Sequence, residues 1–354
     1  MTDRKSIRAA TTRRQVLSGG AAFALGSLAA PSIVGAQTPV LKIAGWGGTW
    51  DEVFKASIVP GFEETHGCKV EIDTGWPFMP KLLSSSPNRP FYDILLANPH
   101  DHWKALDANM VEDSYSETDV PNLADIYGFS KRDELVGITF LNSAVGLGYR
   151  KDLVSAPPTS WTDMFNEDYA GRRGSYVMQN TLGAGFFLML GQIYGDGFTD
   201  IDAMFEALER LKPMRLADFT GAMEQLMLSE EVAIAVIDDA GILKYTGQDT
   251  PLGFAWPEEG SVALEQTYSV TSGSGVKDLA YAWVNHVLSP PVQKVLTEEM
   301  WLAPVNTRTE LEPVYADTLY IGEDKVANLV TPDWNWYNQN FDRLNNQYMR
   351  TLGG

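Results

Sequence analysis

Leu41-Lys42-Ile43-Ala44-Gly45-Trp46-Gly47-Gly48-Thr49-Trp50-Asp51-Glu52 decides the fold class. Leu41 to Trp46 is a short apolar run that reads as a buried strand, and two glycines then turn the chain. Thr49-Trp50-Asp51-Glu52 has the form of a capping box, with Thr49 as N-cap and Glu52 reaching back to it. The spacing predicts a helix from there to about Glu64, stopped by His66-Gly67. Lys69-Val70-Glu71-Ile72 alternates as a second strand, Met79 to Ser84 reads as a short helix, and Tyr92 to Leu96 is a third, continuous apolar strand. Trp103 to Asn109 adds a helical turn or two. The order β-α-β-α-β predicts a parallel sheet with helices on both faces.

A second α/β unit follows. Val136 to Tyr149 is a long extended run, broken by Gly146 and Gly148, of a length to pass between domains. Ser160-Trp161-Thr162-Asp163 opens a short helix, Ser175 to Met178 is a strand, and Gly183 to Tyr194 is an apolar helix. Thr199 is expected to cap a helix whose Met204, Leu208 and Leu211 share one face. Val232 to Ile237, Phe254 to Trp256 and Thr267 to Val270 read as further strands. Ile242 to Thr246, Leu279 to Leu288 and Val292 to Met300 read as helices, the last two parted by Ser289-Pro290-Pro291. The 354 residues suggest two domains, at roughly 150 residues each. No linker separates them, so several strand crossings, and hence a hinge, are expected.

Composition excludes several classes. Lys plus Arg number 27 against 46 acids, a net charge of -19. Such a surface repels phosphate backbones and anionic lipid, which argues against nucleic-acid partners. The single cysteine, Cys68, forms no internal disulfide and builds no zinc cluster, so it reads as a small buried hydrophobe. The N-terminus is an address. Arg4, Lys5, Arg8, Arg13 and Arg14 precede an apolar stretch from Val16 to Ala30 that is too short to span a membrane and ends in Val34-Gly35-Ala36. Thr12-Arg13-Arg14-Gln15-Val16-Leu17 resembles the twin-arginine export signal. Cleavage after Ala36 would remove those five bases and Asp3, leaving 22 bases and 45 acids, a net of -23.

Catalytic motifs are missing. There is no phosphate loop with its lysine, no nucleophile elbow and no histidine pair at helical spacing. His100 and His102 read as residues of a turn, and no metal or cofactor is expected. Position is more informative, because ligands of open α/β sheets sit beyond the carboxyl ends of strands. Four turns qualify: Gly45 to Trp50, Asn98-Pro99-His100-Asp101, Gln179-Asn180-Thr181 and Asp238-Asp239-Ala240-Gly241. Tryptophans number ten, and Trp76 and Trp301 also lie in loops, whereas Trp161, Trp256 and Trp283 read as core. Aromatic walls with carboxylates suit an organic cation, through cation–π attraction and charge-assisted hydrogen bonds.

Six stretches, in order, carry a resemblance. They are Trp46-Gly47-Gly48-Thr49-Trp50; Tyr92-Asp93-Ile94-Leu95-Leu96; and Ser160-Trp161-Thr162-Asp163-Met164-Phe165 with Tyr169-Ala170-Gly171. The others are Phe254-Ala255-Trp256-Pro257-Glu258-Glu259-Gly260, Ala282-Trp283-Val284-Asn285-His286-Val287-Leu288-Ser289-Pro290 and Ala303-Pro304-Val305-Asn306. The chain resembles the periplasmic solute-binding proteins of ABC importers, in the spermidine/putrescine-like branch, over residues 38–354. The resemblance implies a two-lobed α/β flytrap, each lobe a mixed, mainly parallel sheet flanked by helices. Lobe one would comprise 38–145 plus 268–308, and lobe two 146–267 plus 309–354. A periplasmic monomer of this kind closes on a small solute, performs no catalysis and delivers the solute to an inner-membrane permease.

The departures bear on the ligand. Where polyamine binders place acids in the second lobe's first cleft loop, this chain has Gln179-Asn180-Thr181, and their aromatic and acid after the Trp-Pro-x-Glu-Gly turn correspond to Leu264 and Gln266. The expected ligand residues are Trp46, Gly48, Thr49, Trp50, Trp76, His100, Asn180, Asp238, Asp239, Glu265 and Trp301. Trp46 and Trp50 would form an aromatic wall, with Asp238 or Asp239 as counter-charge. The expected solute is a polyamine or related amine. The alternatives are an amino acid, opine-like or carboxylate solute held partly at the helix terminus near Thr49, a periplasmic sensor role, or an exported hydrolase or oxidoreductase. Hinges are expected near Asn142 to Gly146, Glu265 to Tyr268 and Val305 to Arg308.

Overall fold

The computed structural model describes residues 38–75, 77–131 and 136–352. The expected export signal over 1–36 and Trp76 lie outside the described residues. Ten strands form one mixed sheet: β1 (Val40–Ala44), β2 (Lys69–Asp73), β3 (Ile94–Ala97), β4 (Ile138–Arg150), β5 (Arg173–Tyr176), β6 (Met214–Ala217), β7 (Ile234–Asp238), β8 (Leu252–Ala255), β9 (Val262–Val270) and β10 (Ala303–Pro304). The main order is β2-β1-β3-β9-β4-β7-β5-β6, with β8 and β10 also pairing with β4. Pairing is parallel at the two ends (β2-β1-β3 and β7-β5-β6) and antiparallel through the centre. The two parallel groups are therefore joined by β9 and β4 into one continuous ladder.

That join follows from sequence. All 13 residues of β4 are buried, as befits a strand covered on both faces. Its first half, with Phe140 and Leu141, belongs to a core built from β1, β3 and the helices that carry Phe54, Phe62 and Trp283. Its second half, with Val145 and Leu147, belongs to another core that holds Trp161, Phe186, Phe187, Met204 and Tyr348. Strand β9 makes the same passage in reverse, Val262 and Leu264 in the second core, Tyr268 and Val270 in the first. Phe140 stacks on Tyr268 at 4.2 Å, pinning the two crossing strands together.

The expected cap at Thr49 is corrected. The helix Gly48–Val53 begins before Thr49, and its N-cap is Gly47 with no side-chain cap. Gly47 and Gly48 take φ of 84° and 56°, conformations that glycine adopts without steric cost. Asp51, not Glu52, serves the turn, its carboxylate accepting the Gly47 N–H at 3.0 Å. The predicted long helix is interrupted by a wider turn at Phe54–Ile58 before Val59–His66. Thr199 likewise yields to Asp200, whose carboxylate accepts the Ala203 N–H at 3.1 Å. Cys68 is buried. The helix Trp334–Leu352, absent from the expected elements although its apolar residues recur at helical spacing, buries Trp334, Tyr337, Leu344 and Tyr348 against the second core.

Candidate functional site

The carboxyl ends of the parallel strands in both halves face a cavity of about 850 Å³, within the ~300–1,000 Å³ usual for small-molecule sites. Beyond β1 lies Trp46, and beyond β3 lies Asn98, the N-cap of the helix Pro99–Asp107 whose side chain makes no cap hydrogen bond. Beyond β5 come Val177, Gln179 and Asn180, then Leu182 in the helix Thr181–Tyr194. Asp218, Phe219, Thr220 and Gly221 follow β6, and Asp238 ends β7. Leu264 and Gln266 of β9 also line the space, and Met349 approaches from the C-terminal helix.

Hydrogen bonds fix these walls. The Trp46 indole N–H donates to Gln266 Oε1 at 3.0 Å, and its ring packs at 5.5 Å against Phe78. Asn180 caps its helix by accepting the Leu182 N–H at 2.8 Å, and its amide donates to the Asp218 carbonyl at 3.0 Å. The Asp238 carboxylate accepts the Thr220 hydroxyl at 2.9 Å and the Gly241 N–H at 3.3 Å. Burial pushes the Asp238 carboxyl up, against the lowering effect of the Thr220 hydrogen bond. Lys244, whose positive charge favours ionised Asp238, is ion-paired with Glu224 at 2.7 Å. Among the described residues, two acids and no lysine, arginine or histidine line the cavity.

Trp46, Asn180 and Asp238 are thus brought together, and the other expected residues among the described ones lie outside the cavity lining. Gly48 and Thr49 are exposed outside the cavity. Trp50 does not join Trp46 in a wall; the helical turn carries it onto Phe54 and Phe140, at 5.2 and 6.1 Å. His100 is buried, its Nδ1 3.4 Å from Thr181 Oγ1 and its carbonyl accepting from Asn338 Nδ2 at 2.7 Å. Asp239 is bonded to Ser143 and Ala144 of β4. Glu265 is buried on β9, and because side chains alternate across a strand it faces away from the side shared by Leu264 and Gln266. Trp301 ends the helix Pro290–Met300 with φ 57° and packs on Tyr315 at 4.8 Å.

Among the lining residues the sequence did not single out for the site are Asp218, Phe219, Thr220 and Met349. The first three follow β6, a strand of four residues that leaves little signal; Met349 belongs to the unforeseen C-terminal helix. No three His, Cys, Asp or Glu side chains among the described residues are placed to hold a metal ion, and no helix there is long and apolar enough to cross a membrane.

The model of the bacterial extracellular solute-binding protein family matches residues 57–320. The spermidine/putrescine-binding periplasmic protein of Escherichia coli K12 is 24% identical over 200 residues, 54% of this chain and 57% of its own length. The match spans little more than half of that relative. An extracellular solute-binding protein from Bordetella parapertussis superposes with TM-score 0.74 at 24% identity, over 88% of this chain and 98% of that one. The spermidine/putrescine ABC transporter substrate-binding protein of Streptococcus pneumoniae does so with TM-score 0.69 at 18% identity, over 89% and 100%.

Proposed function

Because the chain belongs to the bacterial extracellular solute-binding proteins and has the α/β periplasmic-binding-protein fold, we propose that it is the periplasmic receptor of an ABC importer for a small organic cation. The observation that carries the cation is the cavity itself: Asp218 and Asp238 line it, and no basic side chain among the described residues does. An ammonium beside Asp218 and Asp238 gains charge-assisted hydrogen bonds, and the Trp46 ring lines the same cavity for the rest of the solute to pack against.

In this reading the two cores are two lobes, 38–145 with 268–308 and 146–267 with 309–354, meeting at the cavity. The passage of β4 and β9 between the cores supports that division. The receptor delivers its solute to a permease in the inner membrane and carries out no chemical step. Export by the twin-arginine route, with cleavage after about Ala36, completes the proposal.

A thermal-shift screen of polyamines, quaternary amines, amino acids and organic acids tests it. Amines are expected to raise the melting temperature, and Trp46→Ala to weaken their binding. Stabilisation only by carboxylates that lack a cationic group would overturn the cation reading.

A further inference from the structure

We infer that the solute carries a single cationic head on an uncharged, largely apolar body; this rests on the cation reading above. Both acids stand on one side of the cavity. Asp218 follows β6 and Asp238 ends β7, the strands that flank β5. Neighbouring strands lie ~4.8 Å apart, which puts the two ends roughly 10 Å from one another. The Thr220 hydroxyl ties the Asp218-Phe219-Thr220 loop to Asp238 at 2.9 Å, so the two acids form one negative corner.

The facing wall is neutral. It is made by Trp46 and Asn98 at the ends of β1 and β3, and by Leu264 and Gln266 on β9. A second ammonium reaching that wall would meet an indole and amides but no carboxylate, and a buried unpaired charge is costly. A carboxylate at the far end would meet no lysine or arginine. It would also share the cavity with two acids. Neither a two-ended diamine nor a zwitterion is matched there.

Apolar side chains also line the cavity, Phe219 beside the acid corner and Met349 from the C-terminal helix. Phe219 is 63% exposed and Met349 46%, two of the five large apolar side chains left exposed among the described residues, and both line this cavity. The Phe219 ring lies over Gly221, where an added Cβ would sit 3.0 Å from it, so the glycine gives the ring its place. Apolar groups held open to water at a cavity wall gain when a hydrocarbon covers them, by about 25 cal/mol per Å².

Four probes of matched length separate the possibilities: hexylamine, 1,6-diaminohexane, 6-aminohexanoate and hexanoate, titrated calorimetrically into the full chain. Hexylamine is expected to bind at least about tenfold more tightly than the other three, a difference of ~1.4 kcal/mol. Phe219→Ala, an exposed position where truncation leaves the core intact, is expected to weaken hexylamine several-fold while leaving the melting temperature of the free protein in place. Binding of the diamine or the amino acid as tightly as hexylamine overturns the single-headed inference but leaves the cation reading standing. Binding of hexanoate alone, or of none of the four, overturns both. An affinity for hexylamine unchanged in Phe219→Ala also overturns the apolar body.

Discussion

The Asp239 carboxylate accepts the Ser143 hydroxyl at 2.6 Å, and the same oxygen accepts the N–H groups of Ala144 and Ala240 at 3.1 and 2.9 Å. Ser143 and Ala144 occupy the part of β4 that lies between its contributions to the two cores, and Asp239 opens the helix Asp239–Leu243 after β7. One carboxyl group thus ties the crossing strand to the strand–helix turn whose preceding residue, Asp238, lines the cavity.

That tie is pH-dependent. Burial, reinforced by the charge of Asp238, pushes the Asp239 carboxyl up from 3.8 to about 7, even though its hydrogen bonds pull the other way. An acid raised in the folded state stabilises fully below its unfolded pKa, and the contribution is lost as pH rises through the folded one. The window is therefore from about 4 to about 7, and each tenfold gain in proton affinity is worth ~1.4 kcal/mol. Asp239→Asn keeps a carbonyl to accept from Ser143 and cannot ionise. Urea unfolding between pH 4 and 8 is expected to show the variant gaining on the natural protein as pH rises; parallel stability curves would contradict this.

His102 acts at the acid end. Its Nε2 lies 3.0 Å from the Ala97 carbonyl and its Nδ1 2.7 Å from the Ser269 hydroxyl. A carbonyl only accepts, so Nε2 carries the proton and Nδ1 accepts from Ser269. Burial lowers the imidazole from 6.5 to about 4. A base depressed in the folded state stabilises above its unfolded pKa, and that contribution is lost as pH falls from about 6.5 to about 4. Nitrogen-15 NMR is expected to show the Nε2–H tautomer throughout the neutral range and titration only near pH 4.

Strands such as Ile94–Ala97 and Ile234–Asp238 are legible in the sequence because they are apolar runs buried along their length, whereas the four-residue β6 and the two-residue β10 are too short to leave a pattern. Trp46, Asn180 and Asp238 stood out because each follows such a run, where ligands of α/β sheets collect. Capping at Thr49 misread because the helix start is set by two left-handed glycines, not by side-chain chemistry. Glu265 and Gln266 are neighbours in sequence, and only the pairing register of β9 with β3 and β4 decides which faces the cavity. Trp50 was misplaced for a similar reason, since its packing partner Phe140 lies ninety residues away on a strand in another part of the chain.

Thr220 is expected to set how readily Asp238 meets a cation. Its hydroxyl favours the ionised carboxylate that burial disfavours. Thr220→Val removes that bond with almost no change in volume, so the carboxyl becomes harder to ionise. Affinity for hexylamine is expected to fall, and to fall further the more acidic the solution, because higher pH restores the charge. A penalty that does not change with pH would mean that Thr220 serves shape alone.

Motion between the two cores is expected to be governed by contacts around the helix Pro99–Asp107. That helix contributes Ala105 to the first core, whereas Trp334, Tyr337 and Tyr348 of the C-terminal helix belong to the second. Between them, Asn338 Nδ2 donates to the His100 carbonyl at 2.7 Å, the His100 ring lies 5.6 Å from Tyr337, and Lys104 sits over Phe341 at 5.7 Å. These contacts cannot persist if the cores part, so they oppose opening. Asn338→Ala removes one hydrogen bond, a net loss of about 1 kcal/mol, and shifts the free protein toward an open form. Apparent affinity then falls in proportion to the closed fraction, by up to about fivefold. In solution scattering the ligand-free variant should have a larger radius of gyration than the natural protein, and saturating ligand should bring both to one smaller value. A radius unchanged by ligand in both proteins would show that the cores do not move on binding.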